Sequence, residues 1–399
     1  MSSKPGGRAF GFRVGRIAGI AIHVDPSLAI IFALITYALG SLQFPVWHPD
    51  WPALVTWTTA LAAAFLFFVS ILVHELSHAL VGRAKGIPVN AITLFIFGGV
   101  AQLESEPHTW RAELWMAVAG PITSFVLGVS FLFLAGIFAG PVDLEQGEAA
   151  LAQLNPVSTL LVWLGPVNII LALFNLVPGF PLDGGRVLRA ILWGASGDLM
   201  QATQWASRLG QGFAWLLIML GVAMMLGVQV PFFGSGVFPG MWLALIGWFL
   251  NNAALMSYRQ LLVSEALHGV PVARLMRRDL LSVNPAMSVE TLIDERLMRS
   301  DQRAFPVIDD GHLLGLVCLH DIRRTPREAW PATRVGDIMT PAERLASIGT
   351  DTDAAQALQR LSREGVNQLP VIDHGRLVGL IQREDILKWL SLYGGRMRP

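Results

Sequence analysis

The chain has 399 residues, 53% of them apolar and 15% charged, with a mean hydropathy of +0.52. A soluble chain carries about 25% charged residues, so this composition belongs to a membrane protein. Lys plus Arg equals Asp plus Glu at 29 each, which excludes nucleic-acid binding through a bulk basic field; the single cysteine, Cys318, excludes an internal disulfide framework and any multi-cysteine metal site.

The charges divide the chain. Residues 1–256 hold 10 Lys/Arg and 11 Asp/Glu, whereas residues 257–399 hold 19 and 18. The first part reads as bilayer-embedded and the second as a soluble module. Crossing the hydrocarbon core takes about 20 apolar residues. Six stretches meet that need: Pro26–Leu42, Ala53–Gly82, Trp110–Gly140, Pro156–Val177, Ala202–Val228 and Pro239–Ser257. The basic N-terminal flank up to Arg16 lacks the short apolar core and cleavage site of a signal peptide. All ten basic residues of the first part (Lys4, Arg8, Arg13, Arg16, Arg83, Lys85, Arg111, Arg186, Arg189, Arg208) fall on one side of a six-span topology. The positive-inside rule makes that side the cytoplasm. The expected location is therefore the cytoplasmic membrane, with the N-terminus and the soluble tail both cytoplasmic.

Chemistry enters in the second span, at His74-Glu75-Leu76-Ser77-His78. Residues four apart share a helix face, so both imidazoles reach one zinc ion and Glu75 stands beside it, placed to take a proton from a bound water. Zinc lowers the pKa of that water towards about 7. A hydrogen-bonded polar cluster is the other reading of the triplet. Against it, each ionisable side chain within a span costs roughly 2.5 kcal/mol or more unless paired.

A catalytic zinc takes three protein ligands and leaves a fourth position open. On this topology His78 lies five residues before Arg83 and the cytoplasmic boundary, roughly 7 Å along the helix. The fourth span ends on the same side in Asn175–Arg186 (NLVPGFPLDGGR), where two prolines and three glycines interrupt the helix around Asp183. Matching depth makes Asp183 the third ligand; it also fits the cap of a helix over Gly184–Leu192. Glu104, Glu106, His108 and Glu113 read as a charged loop that water solvates, and His23 as an interfacial histidine.

The tail contains a repeat. Phe305–Val317 (FPVIDDGHLLGLV) recurs as Leu369–Ile381 (LPVIDHGRLVGLI), and Val272–Met276 (VARLM) as Val335–Met339 (VGDIM). Each unit reads as a helix (Thr291–Arg299, Asp353–Ser362), a strand, an Asp/Gly turn, a second strand and a closing helix.

The intramembrane HExxH together with the later N-x-x-P-x-x-P-L-D-G-G resembles the site-2 protease family of intramembrane zinc metalloproteases, and the tail repeats resemble CBS domains. The resemblance covers essentially the whole chain. It implies a polytopic α-helical membrane domain of six transmembrane helices with a short membrane-associated β-hairpin, followed by α/β tandem CBS domains. The expected divisions are residues 1–257 for the metalloprotease domain, 258–270 for a linker, and 271–330 and 331–399 for the two CBS domains. It further implies one zinc per subunit held by His74, His78 and Asp183, with Glu75 as general base, and a single-pass transmembrane protein as substrate within the lipid bilayer.

Within that frame Val89–Leu103, apolar and broken by a turn at Gly98-Gly99, corresponds to the hairpin. It either binds an unwound substrate by strand addition or is a simple interfacial hairpin. Asn168 and Asn175 orient substrate or the oxyanion, or else bridge helices. In CBS domains a G-h-x-S/T-x-x-D segment holds an adenine nucleotide. The matching Gly315–Asp321 and Gly379–Asp385 keep Asp321 and Asp385 but replace both hydroxyls, by Cys318 and Gln382. Nucleotide sensing and homodimerisation are both open for this pair. A different class, a CBS-regulated divalent-cation transporter, requires further intramembrane carboxylates and an inverted repeat, and neither is present in the sequence. An inactive scaffold is opposed by the intact Glu75 and ligand set.

Overall fold

The computed structural model describes residues 11–96, 98–103, 107–139, 151–231 and 234–393. The chain divides into two compact units, Ala9–Leu261 and a second one from Leu262 onward.

Among the described residues six helices are long and apolar enough to cross a membrane: α1 (Ser27–Trp47), α2 (Ala53–Ala84), α3 (Trp110–Ala139), α4 (Pro156–Asn175), then α6 (Leu199–Met225) and α7 (Val237–Leu267). Between α4 and α6 lies the short amphipathic helix α5 (Asp183–Ser196). The spans are apolar all round, as helices facing both lipid and one another must be. Large side chains such as Phe65, Phe125, Phe133 and Trp248 remain exposed along them. Asn155 caps α4 by accepting from the Ser158 N–H at 2.9 Å, and Asp198 caps α6 through the Gln201 N–H at 2.9 Å. The six expected spans are all present. Helix α7 is longer than expected and continues unbroken to Leu267, through most of the stretch read as a linker.

The expected hairpin is part of a larger sheet. Strands β1 (Phe12–Ile17), β2 (Ile20–Val24), β3 (Val89–Phe95) and β4 (Gly98–Leu103) form one four-stranded sheet in that order. β1 and β2 are joined by Ala18-Gly19, both at positive φ (49° and 77°), which matches a two-residue hairpin turn. β2 and β3 run parallel, with α1 and α2 between them in the chain. His23 lies within β2, in register with Thr93, just before the first span. Phe95 pairs with Gly98, so the reversal precedes the glycine pair and Gly98 and Gly99 open β4. One face of the sheet (Ile20, Ile22, Ile92, Leu94) packs against Phe68 and Ile71 of α2. At the end of α2 the Arg83 guanidinium donates to the Val89 carbonyl (2.6 Å) and the Ala18 carbonyl (2.6 Å), tying helix to sheet.

The second unit repeats itself. β5 (Ala304–Asp309) pairs with β6 (His312–Cys318), and β8 (Gln368–Asp373) with β9 (Arg376–Gln382); the short β7 (Thr340–Pro341) adds to β6. Each hairpin has the same register shift, at Val307/Ile308 and Val371/Ile372. Each turns on a pair at positive φ, Asp310-Gly311 and His374-Gly375. The helix α8 (Ala354–Arg363) and the closing helix α9 (Arg383–Tyr393) pack Leu361 and Ile386 against Leu369, Val371 and Ile381. Both repeats follow the expected helix–strand–turn–strand–helix order, the first opening with Val289–Leu292 and the π-helical turn Ile293–Leu297 and closing with the short helix Leu319–Arg323.

Candidate metal centre

Helix α2 places His74 and His78 one turn apart with their Nε2 atoms 3.2 Å from each other. Asp183, the first residue of α5, brings Oδ2 to 3.1 Å from both. The three side chains form a group able to hold a metal ion, and both histidines are buried.

The far side of each imidazole decides what this cluster does. His78 Nδ1 lies 2.6 Å from the Met116 carbonyl oxygen, which only accepts, so Nδ1 carries the proton and donates it. His74 Nδ1 lies 2.8 Å from Ser124 Oγ. With Ser124 accepting from His74 Nδ1 as the Met116 carbonyl accepts from His78 Nδ1, the two Nε2 lone pairs point at one another and at a carboxylate oxygen. Three acceptors converging in a buried site repel unless a cation lies between them. An outer acceptor that fixes the tautomer, as the Met116 carbonyl does for His78, is characteristic of histidine ligands.

Space is left on the fourth side. Gly120 of α3 faces the pair, and a Cβ there would strike His74 Nε2 and His78 Nε2. The residues present therefore fit a dication with two imidazole and one carboxylate ligands. Gly120→Ala is expected to abolish cation retention while the helices still form; metal content of the purified protein checks this.

Glu75 projects from α2 beside the imidazoles. Gly99 of β4 comes so close that a Cβ on it would overlap the Glu75 side chain. Gly98, at φ 127°, starts the same strand, and β4 is an edge strand.

The other expected residues divide. Asn168 is buried and its Nδ2 donates to the Leu164 carbonyl (2.9 Å) while its Oδ1 has no partner among the described residues; Asn175 Nδ2 donates to the Leu171 carbonyl (3.0 Å). Asp321 accepts from the backbone N–H and the thiol of Cys318, both at 2.9 Å. Asp385 accepts from the Gln382 N–H (3.2 Å) and from Arg277 Nε (3.1 Å). Both aspartates thus cap the helix that follows each hairpin. Burial, with Asp321 beside it, pushes the Cys318 thiol up, so it stays protonated.

Glu113 is a correction. It is not in a solvated loop: it sits in the first turn of α3 with no exposed surface, paired with Arg189 of α5. A carboxylate so buried is stable only with such a partner. His108 is exposed, and Glu104 and Glu106 lie outside the described residues. Sequence reasoning missed Met116, Gly120 and Ser124. Their only signal is spacing along one face of the third span.

The buried HExxH helix meeting an aspartate from a broken span defines a membrane-embedded metallopeptidase. Comparison with known proteins agrees. The profile of peptidase family M50 matches residues 62–139 and 135–219, and that of the CBS domain matches residues 272–328 and 335–392. Rip3 of Mycobacterium tuberculosis is 34% identical over 384 residues, covering 95% of this chain and 93% of its own. A protein of Synechocystis is 34% identical over 385 residues, covering 95% of each. Both carry names in the zinc-metalloprotease class. The site-2 protease structure from Methanocaldococcus jannaschii aligns at 26% identity, 63% of this chain and 96% of that one, with a TM-score of 0.41. The chain belongs to peptidase family M50, the site-2 proteases, and carries a CBS tandem.

Proposed function

We propose that this protein hydrolyses a peptide bond within the transmembrane segment of another membrane protein, close to the cytoplasmic face. The observation that carries the reading is the convergence of His74 Nε2, His78 Nε2 and Asp183 Oδ2 within 3.2 Å while both Nδ1 atoms are engaged elsewhere. His74, His78 and Asp183 would hold zinc. Bound there, zinc supplies a Lewis acid that polarises a carbonyl and acidifies water.

The rest of the work belongs to the chain. Glu75 takes the proton of the attacking water on its carboxylate and hands it to the departing amide nitrogen as the C–N bond breaks. A helical peptide bond is shielded by its own hydrogen bonds, so the substrate must be unwound first. The edge of β4, unpaired among the described residues and with Gly99 against Glu75, offers backbone donors and acceptors to hold an extended segment by strand addition.

Orientation follows from charge: with every Lys and Arg of the first 256 residues on one side, the CBS tandem is cytoplasmic. We assign that tandem a regulatory or dimerising role. Titration calorimetry with ATP and AMP, set beside the mass of the purified protein, separates the two.

The test of the whole reading is cleavage of a single-span membrane protein by the purified full chain in detergent. Cleavage that a chelator stops and added zinc restores is the expected result. Cleavage indifferent to the chelator contradicts it.

A further inference from the structure

One face of α3 contacts both histidines of the candidate centre and the helix that carries Asp183. Glu113, Met116, Gly120 and Ser124 recur at spacings of three and four residues, which aligns them along a single helical stripe. Ser124 engages His74, the Met116 carbonyl engages His78, and Gly120 keeps the space beside both Nε2 atoms open. The fourth member reaches the other ligand's helix. Glu113 Oε1 accepts from Arg189 Nε at 2.7 Å and from a second guanidinium nitrogen of the same residue.

Arg189 lies six residues beyond Asp183 on α5, about 9 Å along the axis. Its guanidinium also sits over the Phe180 ring, 5.2 Å from the centroid. The segment that delivers Asp183 is therefore held on both sides of the ligand by one guanidinium, and that guanidinium is anchored on α3. Glu113 is fully buried and Arg189 almost so. A buried ion pair contributes little net stability compared with apolar residues of similar volume. What this pair does supply, with two guanidinium nitrogens of Arg189 on the single oxygen Oε1 of Glu113, is a charge-assisted link that sets the distance between two helices.

We propose that Glu113 and Arg189 are positioning residues for the metal centre: their pairing sets the register of α5 against α3 and so fixes Asp183 within coordinating reach of His74 and His78. The proposal rests on the metal reading given above. It extends that reading to two residues that touch neither the cation nor the substrate.

The test uses cobalt(II) as the probe, bound to the full chain in detergent. Three variants accompany the wild type: the double replacement Glu113→Met with Arg189→Leu, the single replacement Arg189→Lys, and Asp183→Asn as reference. The double variant removes both charges of the buried pair together and costs the partly exposed Arg186 only a contact at 3.9 Å, so its thermal unfolding midpoint is expected to stay near that of the wild type. Its cobalt affinity is expected to fall about 10- to 100-fold, with a visible absorption spectrum shifted towards that of Asp183→Asn. Arg189→Lys keeps the charge but loses the planar fork. It is expected to shift the spectrum in the same direction, and it decides the matter if the double variant does not fold. Wild-type affinity and spectrum in a folded variant overturn the proposal and leave the metal reading intact. Failure of the wild type itself to bind cobalt overturns both.

Discussion

Glu75→Gln is expected to retain one zinc per chain and to lose peptide-bond cleavage by a factor of about 10² to 10⁴, the range supplied by a positioned general base. The substitution keeps the shape of the side chain and removes only its capacity to accept a proton. Glu75 is not among the three atoms that converge, so the cation site is left alone. Gly99 packs against the Glu75 side chain, and an isosteric amide fits that contact as the carboxylate does. Metal analysis and a cleavage assay on one preparation separate the two functions. Cleavage at the wild-type rate would remove Glu75 from the chemistry.

Asp183→Asn is expected to weaken zinc retention by more than about 100-fold, exceeding the loss typical of an outer partner. The amide is neutral, so two imidazoles alone face the cation. Asp183 Oδ2 stands 3.1 Å from each Nε2, and an amide in that place offers either a weaker carbonyl ligand or an N–H that repels the cation. Cleavage is expected to fall with metal content and to recover partly at high zinc. A variant that holds zinc as tightly as the wild type would leave Asp183 as a helix residue only.

The site was legible wherever chemistry is expensive in a membrane. His74, Glu75 and His78 stand out because three ionisable groups within a span demand a partner. Asp183 stands out because prolines and glycines break the backbone just before and after it. The outer partners carry no such mark. Gly120 and Ser124 are small residues in a helix that is apolar on every side, and the part Met116 plays is that of a carbonyl, which any residue provides. Glu113 misleads because its partner Arg189 is 76 residues away and on another helix.

The sheet shows a similar limit. Ile20–Val24 pairs with Val89–Phe95 across two intervening spans, a non-local contact that local pattern does not announce. Phe12–Ile17 carries Arg13 and Arg16, which read as a basic flank although the segment is an exposed edge strand. The Gly98-Gly99 pair looks like a turn, yet its lack of side chains is used to bring β4 against Glu75. Polar residues such as Gln260, Ser264 and Glu265 mark the end of the lipid-facing stretch but not the end of α7, because a helix continues in water as readily as in lipid. In the tail the repeat was readable because both hairpins use the same Asp/Gly-type turn and the same register shift.

The most direct measurement is X-ray absorption at the zinc edge on the purified full chain. The account predicts one zinc per chain with two imidazole nitrogens and a carboxylate oxygen at about 2.0–2.2 Å, the imidazole scattering halving when His78 is replaced by Ala. An edge with no zinc, or a coordination shell unchanged by that replacement, would contradict it.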